Sequence, residues 1–137
     1  MKQFLTLFIA STLLFTISVG CKKISTPNDE SRKLFGSWNY HSNSGGFTGA
    51  GGSTKYCTGS WIEFTEKGFF RVYEEFKEKK KTQVRYKIEM KESIHSADKR
   101  SAIVYKNGSY DTYQIEDNKL YISDDNYDGF LYVFTRK

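Results

Sequence analysis

The chain has few of the residues on which common functional sites depend. Its 137 residues include two cysteines, two histidines and one proline. Two cysteines exclude a disulfide-dense scaffold. His41 and His95 have no cysteine or carboxylate at the spacing typical of zinc ligands, and neither has the partners of a catalytic set. We therefore expect no metal, no cofactor and no enzymatic activity.

The chain also has little length and only one long apolar run. A chain of this size suits a single domain with a small core, which excludes a multi-domain enzyme. Residues 4–19 carry no charge and follow a positive start at Lys2. This pattern is typical of a secretory signal, and the run is short for a transmembrane helix, which needs about 20 residues. We expect residues 1–20 to be a signal peptide.

Residues 18–21, SVGC, resemble the lipobox of bacterial lipoproteins. The resemblance implies cleavage before Cys21 and lipidation of its thiol. It also implies a membrane anchor in the cell envelope, on the periplasmic or surface-exposed side. The outer membrane is favoured because Lys22 is unlike the aspartate that retains some lipoproteins at the inner membrane. An uncleaved anchor and a plain secretory signal remain alternatives.

Lipidation of Cys21 would leave Cys57 as a lone thiol. We expect Cys57 to be a small buried apolar residue, since unpaired cysteine more often packs than reacts. Without lipidation, a disulfide between the two cysteines would be possible in an oxidising compartment. Residues 22–33, KKISTPNDESRK, hold the only proline and little apolar mass. We expect Cys21 and this segment to form a lipidated, flexible tether over 21–33.

From residue 34 onward the pattern predicts strands. Val84, Tyr86, Ile88 and Met90 alternate with charged residues, which is typical of a strand with one apolar face. Asn107-Gly108 is a strong hairpin signal. Segment 92–100 is predicted as a loop or one helical turn, and 78–81 as a charged hairpin tip. The expected strands lie near 36–42, 58–64, 68–76, 83–91, 101–106, 110–116, 119–123 and 129–136. Short strands in sequential hairpins predict an all-β, eight-stranded up-and-down barrel over residues 34–137.

A glycine and a tryptophan open the first strand as Gly36-x-Trp38, and Arg136 closes the last strand. This pair of features resembles the lipocalin and wider calycin pattern, and residues 34–137 resemble the small lipocalin-like domains of bacterial lipoproteins. The resemblance implies that Trp38 and Arg136 pack together at the closed end of the barrel. Such a contact is a cation–π interaction worth about 0.5–2 kcal/mol. It also implies a binding module of the envelope.

The barrel interior is the first candidate site. An eight-stranded barrel is either filled by side chains or holds one small ligand. Tyrosines suit a small amphipathic or hydrophobic ligand because each offers a ring and a hydroxyl. The candidate ligand-binding residues are Tyr40, Phe64, Phe70, Val84, Tyr86, Ile88, Tyr113 and Tyr132. The alternative is a filled barrel, which would act through protein–protein contact, for example as an inhibitor.

Three further segments invite a functional interpretation. Residues 42–54 are rich in glycine, and Phe47 within them is a candidate lid over the barrel. Residues 124–129 match the first half of a calcium loop, although an acidic turn is favoured. Lysines at 77 and 79–81, with Arg85 and Lys87, form a basic tip suited to solvent, anionic lipid or an acidic partner. We expect no binding to nucleic acid, because the protein is predicted to be exported. We expect the protein to be a monomer.

Overall fold

The structure is a computed structural model that describes residues 29–46, 55–74 and 77–137. It contains one short helix followed by eight strands. The elements are α1 (Asp29–Leu34), β1 (Gly36–Gly45), β2 (Ser60–Phe64), β3 (Phe69–Glu74), β4 (Lys77–Ser93), β5 (Ser96–Tyr105), β6 (Tyr110–Glu116), β7 (Lys119–Asp124) and β8 (Phe130–Arg136). Within these ranges no helix has the length and apolarity required to cross a membrane.

The strands form a closed antiparallel barrel. Each strand pairs with the next along the chain, and β8 returns to pair with β1, so that Trp38 lies opposite Arg136. The predicted all-β, up-and-down, eight-stranded barrel is confirmed, and the architecture is consistent with a calycin-like fold. Closure leaves the sheet without an unpaired edge between β8 and β1.

Alternation of apolar and polar residues explains which side chains face inward. In β2, Ser60, Ile62 and Phe64 are buried while the residues between them are partly exposed. In β8, Tyr132 and Phe134 point inward and Leu131 is 37% exposed. Alternation alone allows either set of residues in β8 to face the core. The buried core is formed by Leu34, Trp38, Tyr56, Ile62, Phe64, Phe70, Val72, Tyr86, Ile103, Tyr113, Leu120, Ile122, Tyr132 and Phe134.

The two ends of the barrel carry different connections. Helix α1, the β2–β3 and β6–β7 turns and the chain end after β8 lie at one end, which we call the closed end. The β1–β2, β3–β4, β5–β6 and β7–β8 connections lie at the other end, which we call the mouth. The strand pairing therefore determines which residues lie at the closed end and which lie at the mouth.

Helix α1 occupies positions that the composition predicts as flexible tether. Leu34 is fully buried and Ser31 nearly so. The carbonyl of Leu34 accepts a hydrogen bond of 2.9 Å from the indole Nε1 of Trp38. Residues 29–33 are helical, and the buried contact at Leu34 packs the helix against the barrel, a long-range effect that local composition does not predict.

Two segments predicted as loops or turns belong to strands. Within 92–100, β4 continues to Ser93 and β5 begins at Ser96, so the segment is a hairpin rather than a helical turn. The carboxylate of Asp125 holds the hairpin by accepting hydrogen bonds from Ser93 Oγ (2.8 Å) and the amide of Ile94 (3.2 Å). Residues 78–81, predicted as a hairpin tip, lie in β4 and pair with β3 through two register shifts.

Three smaller expectations are corrected by the register. Residues 42–45 of the glycine-rich segment continue β1, because a bulge after Tyr40 restores pairing with β8. Met90, predicted on the apolar face, is 57% exposed because β6 pairs with β5 only from Ala102 onward. Cys57 is exposed rather than buried. It lies in a turn before β2, where Ser60 Oγ donates a 2.6 Å hydrogen bond to its carbonyl.

Candidate functional site

The closed end brings together the three residues that the lipocalin resemblance singles out. The guanidinium of Arg136 lies 3.9 Å from the ring centroid of Trp38, so the predicted contact is present. Its two Nη atoms each donate a 2.7 Å hydrogen bond, to the carbonyls of Phe35 and Lys33. Gly36 has φ +114°, and a Cβ there would lie 2.9 Å from Arg136. The backbone at position 36 can therefore adopt this conformation beside the Arg136 guanidinium only with glycine, which has no Cβ.

The interior candidates are spread along the barrel rather than gathered around one space. Phe64 contacts Phe70 and Tyr86, with ring centroids 5.0 and 5.2 Å apart. The hydroxyl of Tyr86 donates a 3.0 Å hydrogen bond to the carbonyl of Thr65, near the closed end. Tyr113 lies on the same side and interacts with Ser31 of α1.

The remaining candidates except Ile88 lie closer to the mouth, whereas Ile88 follows Tyr86 along β4 toward the closed end. Tyr40 contacts Tyr56 and Phe134 at ring-centroid distances of 6.2 and 5.9 Å. Val84 and Ile88 are partly buried against the core. Tyr132 reaches furthest toward the mouth. Ring contacts thus run through the interior, so the described candidates do not line one common cavity.

A group of polar side chains, missed in the sequence, lies at the mouth. The ammonium of Lys55 is 3.1 Å from Asp111 Oδ2 and 3.2 Å from Asp124 Oδ1. The hydroxyl of Tyr105 donates a 2.7 Å hydrogen bond to Asp111, and that of Tyr132 lies 3.4 Å from Asp124. We call this group the mouth cluster: Lys55, Tyr56, Tyr105, Asp111, Asp124 and Tyr132.

Aromatic rings enclose the ammonium of Lys55 on its other side. The nitrogen lies 5.3 Å from the ring centroid of Tyr132 and 5.8 Å from that of Tyr56. Both distances are within the range of a cation–π interaction, about 6 Å. The two tyrosine rings also contact each other edge to face, at 5.0 Å. Carboxylates and ring faces together form an environment that favours a cation.

The hydroxyl of Tyr56 is buried without a hydrogen-bond partner among the described residues. The residue is only 4% exposed. Burial raises the pKa of this hydroxyl, the charge of Lys55 opposes the rise, and the charges of Asp111 and Asp124 add to it. The hydroxyl therefore lies within the field of the mouth cluster. An unpaired buried hydroxyl costs about 1–3 kcal/mol, which a partner would recover.

Burial and charge act against each other on the ionisable groups of the cluster. Burial lowers the pKa of Lys55, but the charges of Tyr56, Asp111 and Asp124 outweigh it and hold that pKa above its usual range. Burial raises the pKa of Asp111 against the opposing attraction of Lys55 and the hydrogen bond from Tyr105. Lys55 stays charged at neutral pH, and its charge compensates a carboxylate that is costly to bury.

An open cavity of about 470 Å³ adjoins the mouth cluster. Its lining comprises Val84, Tyr105, Lys106, Asn107 and Ser109. Although the Tyr105 hydroxyl is desolvated against Asp111, part of the residue remains accessible, so it belongs to both the cavity wall and the cluster. Because Tyr105 belongs to both, a small ligand in this cavity could lie next to the polar groups of the mouth cluster.

The acidic segment after β7 forms the turn that leads to β8. Its two carboxylates at positions 124 and 125 serve different contacts, since Asp124 joins the mouth cluster and Asp125 holds the β4–β5 hairpin. A Cβ at Gly129 would lie 2.3 Å from the carbonyl of Asp124, so the turn needs glycine there. Across the described ranges, no three His, Cys, Asp or Glu side chains are grouped to hold a metal ion.

Two sequence-based candidates lie outside the described residues. These are the lipidation site Cys21 and the candidate lid Phe47. Comparison with protein-family models and with curated proteins finds no match for this chain. The arguments for function therefore depend on the barrel and on the contacts at its mouth.

Proposed function

We propose that the chain is a lipid-anchored, non-enzymatic binding module of the cell envelope that takes a small amphipathic ligand at the mouth of its barrel. The observation that carries the proposal is the cavity beside the mouth cluster, a cluster that contains the buried hydroxyl of Tyr56 without a described partner. Ligand sites commonly combine an apolar lining with a few converging polar groups. Rings in contact deeper in the barrel favour a ligand at the mouth over one inserted along its full length.

Native mass spectrometry tests ligand binding. The full chain, purified in mild detergent after exposure to a lipid and metabolite extract of its source cells, should carry an adduct of small-molecule mass. Ser109→Trp adds a bulky side chain to the exposed lining of the cavity and should remove the adduct. Gln114→Trp, at an exposed position on β6 outside this cavity, is the matched control and should retain it. An adduct that survives Ser109→Trp would place binding elsewhere.

Cell fractionation tests the anchor. Two acyl chains hold a protein firmly at a membrane, whereas one holds it marginally. Cys21→Ala should therefore move the protein from the membrane pellet to the supernatant. Cys57→Ala is the control, since the exposed thiol of Cys57 lies in the barrel domain and should leave the distribution unchanged. Metabolic labelling with palmitate accompanies the fractionation, because loss of Cys21 can also leave residues 1–20 as an uncleaved anchor. Absence of label from the unsubstituted chain would refute lipidation at Cys21.

A filled barrel that acts on a protein partner is the second candidate. It is supported by the ring contacts that run through the interior and by a stacked pair on the outer face, where Trp61 and Tyr73 lie 3.7 Å apart. If no adduct forms and cross-linking in cells yields a stoichiometric protein complex that Trp61→Ala weakens, this candidate replaces the first. An adduct sensitive to Ser109→Trp would exclude it as the main function.

A further inference from the structure

We propose that the mouth cluster is a binding site for primary ammonium groups, which the side chain of Lys55 occupies and which a small organic amine takes in its place. The inference names the ligand class of the proposed binding module and so rests on that function. The proposed ligand is a primary amine with an apolar part that fits the adjoining cavity.

The geometry around the Lys55 nitrogen supports a primary ammonium group in particular. Two carboxylates accept hydrogen bonds from it, at 3.1 and 3.2 Å, and two tyrosine rings lie within 6 Å of it. An ammonium nitrogen has three donors, which suits hydrogen bonding to two carboxylates. A quaternary ammonium would satisfy the rings but could not donate to Asp111 or Asp124.

Lys55 is the replaceable member of this arrangement. Its side chain is 40% exposed, whereas that of Asp111 is 9% exposed and that of Asp124 is 20% exposed. The acceptors are thus fixed on strands β6 and β7, while the ammonium reaches them from a connection outside the strands. The side chain can withdraw into solvent, where an ammonium is well hydrated, and the carboxylates would then be left for another cation.

The hydroxyl of Tyr56 gives the independent sign of a ligand. It is buried among the charges of the cluster, and no described residue pairs with it. Lys55 already donates to both carboxylates and does not satisfy it. An amine that also carries a hydroxyl or carbonyl could pair with this group, and the gain would favour the amine over the resident lysine.

Amine rescue of Lys55→Ala tests the proposal. The melting temperature of the full chain in mild detergent is measured against increasing methylammonium chloride, with sodium chloride at equal ionic strength as the reference. Truncation should lower the melting temperature, because two buried or partly buried carboxylates lose their cation. Methylammonium should restore it saturably, by about 4 °C or more, since a ligand that binds only the folded state stabilises it.

Two controls make the result specific. Lys55→Met fills the space with an uncharged chain of similar length and should show no response to methylammonium. Lys87→Ala removes an ammonium that pairs with Glu89 on the outer face and should also show none. Tetramethylammonium should rescue Lys55→Ala less than methylammonium does. Equal responses to methylammonium and sodium, or equal responses in the three variants, would overturn the proposal.

If Lys55→Ala does not fold without an amine, the same comparison is made on refolding yield. Recovery with methylammonium but not with sodium supports the proposal, and recovery with neither overturns it. The result is separable from that for the proposed function. A native adduct that Ser109→Trp removes, combined with no amine rescue, would preserve the binding module and refute the ammonium site.

Discussion

The two ends of the barrel solve the problem of buried polar groups in opposite ways. At the closed end, Arg136 donates to two carbonyls and covers the ring of Trp38, whose indole nitrogen in turn is paired with Leu34. At the mouth, two carboxylates share one ammonium, and the hydroxyl of Tyr56 has no partner within the described residues. The closed end therefore has its polar groups paired, whereas the mouth, where we propose that a ligand binds, has a buried hydroxyl without a described partner.

The largest expected effect is at the closed end. Trp38 is fully buried and joins β1 to α1 and to Arg136. Trp38→Ala should lower the free energy of unfolding by about 3–5 kcal/mol, through lost burial and the cavity left behind. Urea unfolding followed by circular dichroism measures it. Trp61→Ala, a partly exposed tryptophan on the outer face, should cost about 1 kcal/mol. Similar costs for the two would remove the distinction on which the comparison rests.

Alkaline pH should destabilise the mouth. Burial is the main cause that raises the pKa values of Tyr56 and Tyr105 above their ordinary value of 10.0. The folded state keeps protons that the unfolded chain releases, so stability is fully present below pH 10 and falls as the pH rises above it. These two groups contribute about 3 kcal/mol per pH unit to the slope, and Tyr86 and Tyr113, whose pKa values burial also raises, add to the total.

The pH effect is measured by urea unfolding at several pH values between 9 and about 11.5. Tyr56→Phe removes one of the two groups and should reduce the slope by about 1.4 kcal/mol per pH unit. Loss of the ammonium proton of Lys55 acts in the same direction, because its pKa is also raised. Stability that is constant or increases above pH 10 would contradict the burial of these hydroxyls.

A double-mutant cycle isolates the contact at the closed end. Trp38→Leu, which removes the aromatic ring, and Arg136→Gln, alone and together, should show a coupling energy of about 0.5–2 kcal/mol. The value should fall in the lower half of that range, since Arg136 is exposed to solvent. Equilibrium urea unfolding of the four proteins gives the coupling. Strictly additive effects would mean that ring and guanidinium are neighbours without a measurable interaction.

The smallest expected effect is on stability at neutral pH, and its sign is opposite to that of the losses above. Tyr56→Phe removes a buried hydroxyl that no described residue satisfies and keeps the ring contacts with Tyr132 and Phe134. The change should leave stability at neutral pH unaltered or raise it by up to about 1 kcal/mol. Thermal unfolding at pH 7 measures it, with Tyr86→Phe as the control. That control should destabilise, because the Tyr86 hydroxyl bonds to the carbonyl of Thr65. A clear loss for Tyr56→Phe would show that the hydroxyl has a partner.

Much of the barrel could be predicted because period-two patterns are local. Tyr110–Glu116 matches the expected sixth strand at both ends, and the Trp38–Arg136 contact follows from the resemblance. Helix α1 could not be predicted in this way. Its order depends on Leu34 entering a core that residues far along the chain complete.

The mouth cluster was partly visible in the sequence. Asp111 shares a strand face with Tyr113, and Asp124 shares one with Ile122, so both carboxylates fall on inward positions. A carboxylate on an otherwise apolar strand face indicates a buried polar site. Lys55 and Tyr56 gave no such signal, because they precede β2 in an irregular connection where alternation does not apply. That connection lies close to β6 and β7 only because the barrel is closed.

Both ends of the part of the chain that the structure describes lie at the closed end of the barrel. Helix α1 and the residues after β8 meet at the closed end, where the amide of Lys137 donates a 3.0 Å hydrogen bond to the carbonyl of Ser37. Asp29 lies eight residues after Cys21, a reach of at most about 28 Å for an extended chain. If Cys21 is anchored as proposed, the closed end of the barrel would lie near the bilayer and the mouth would face away from it. A fluorophore on Cys57 should then escape quenchers placed in the headgroups, and ligands would arrive from the aqueous side rather than from the lipid.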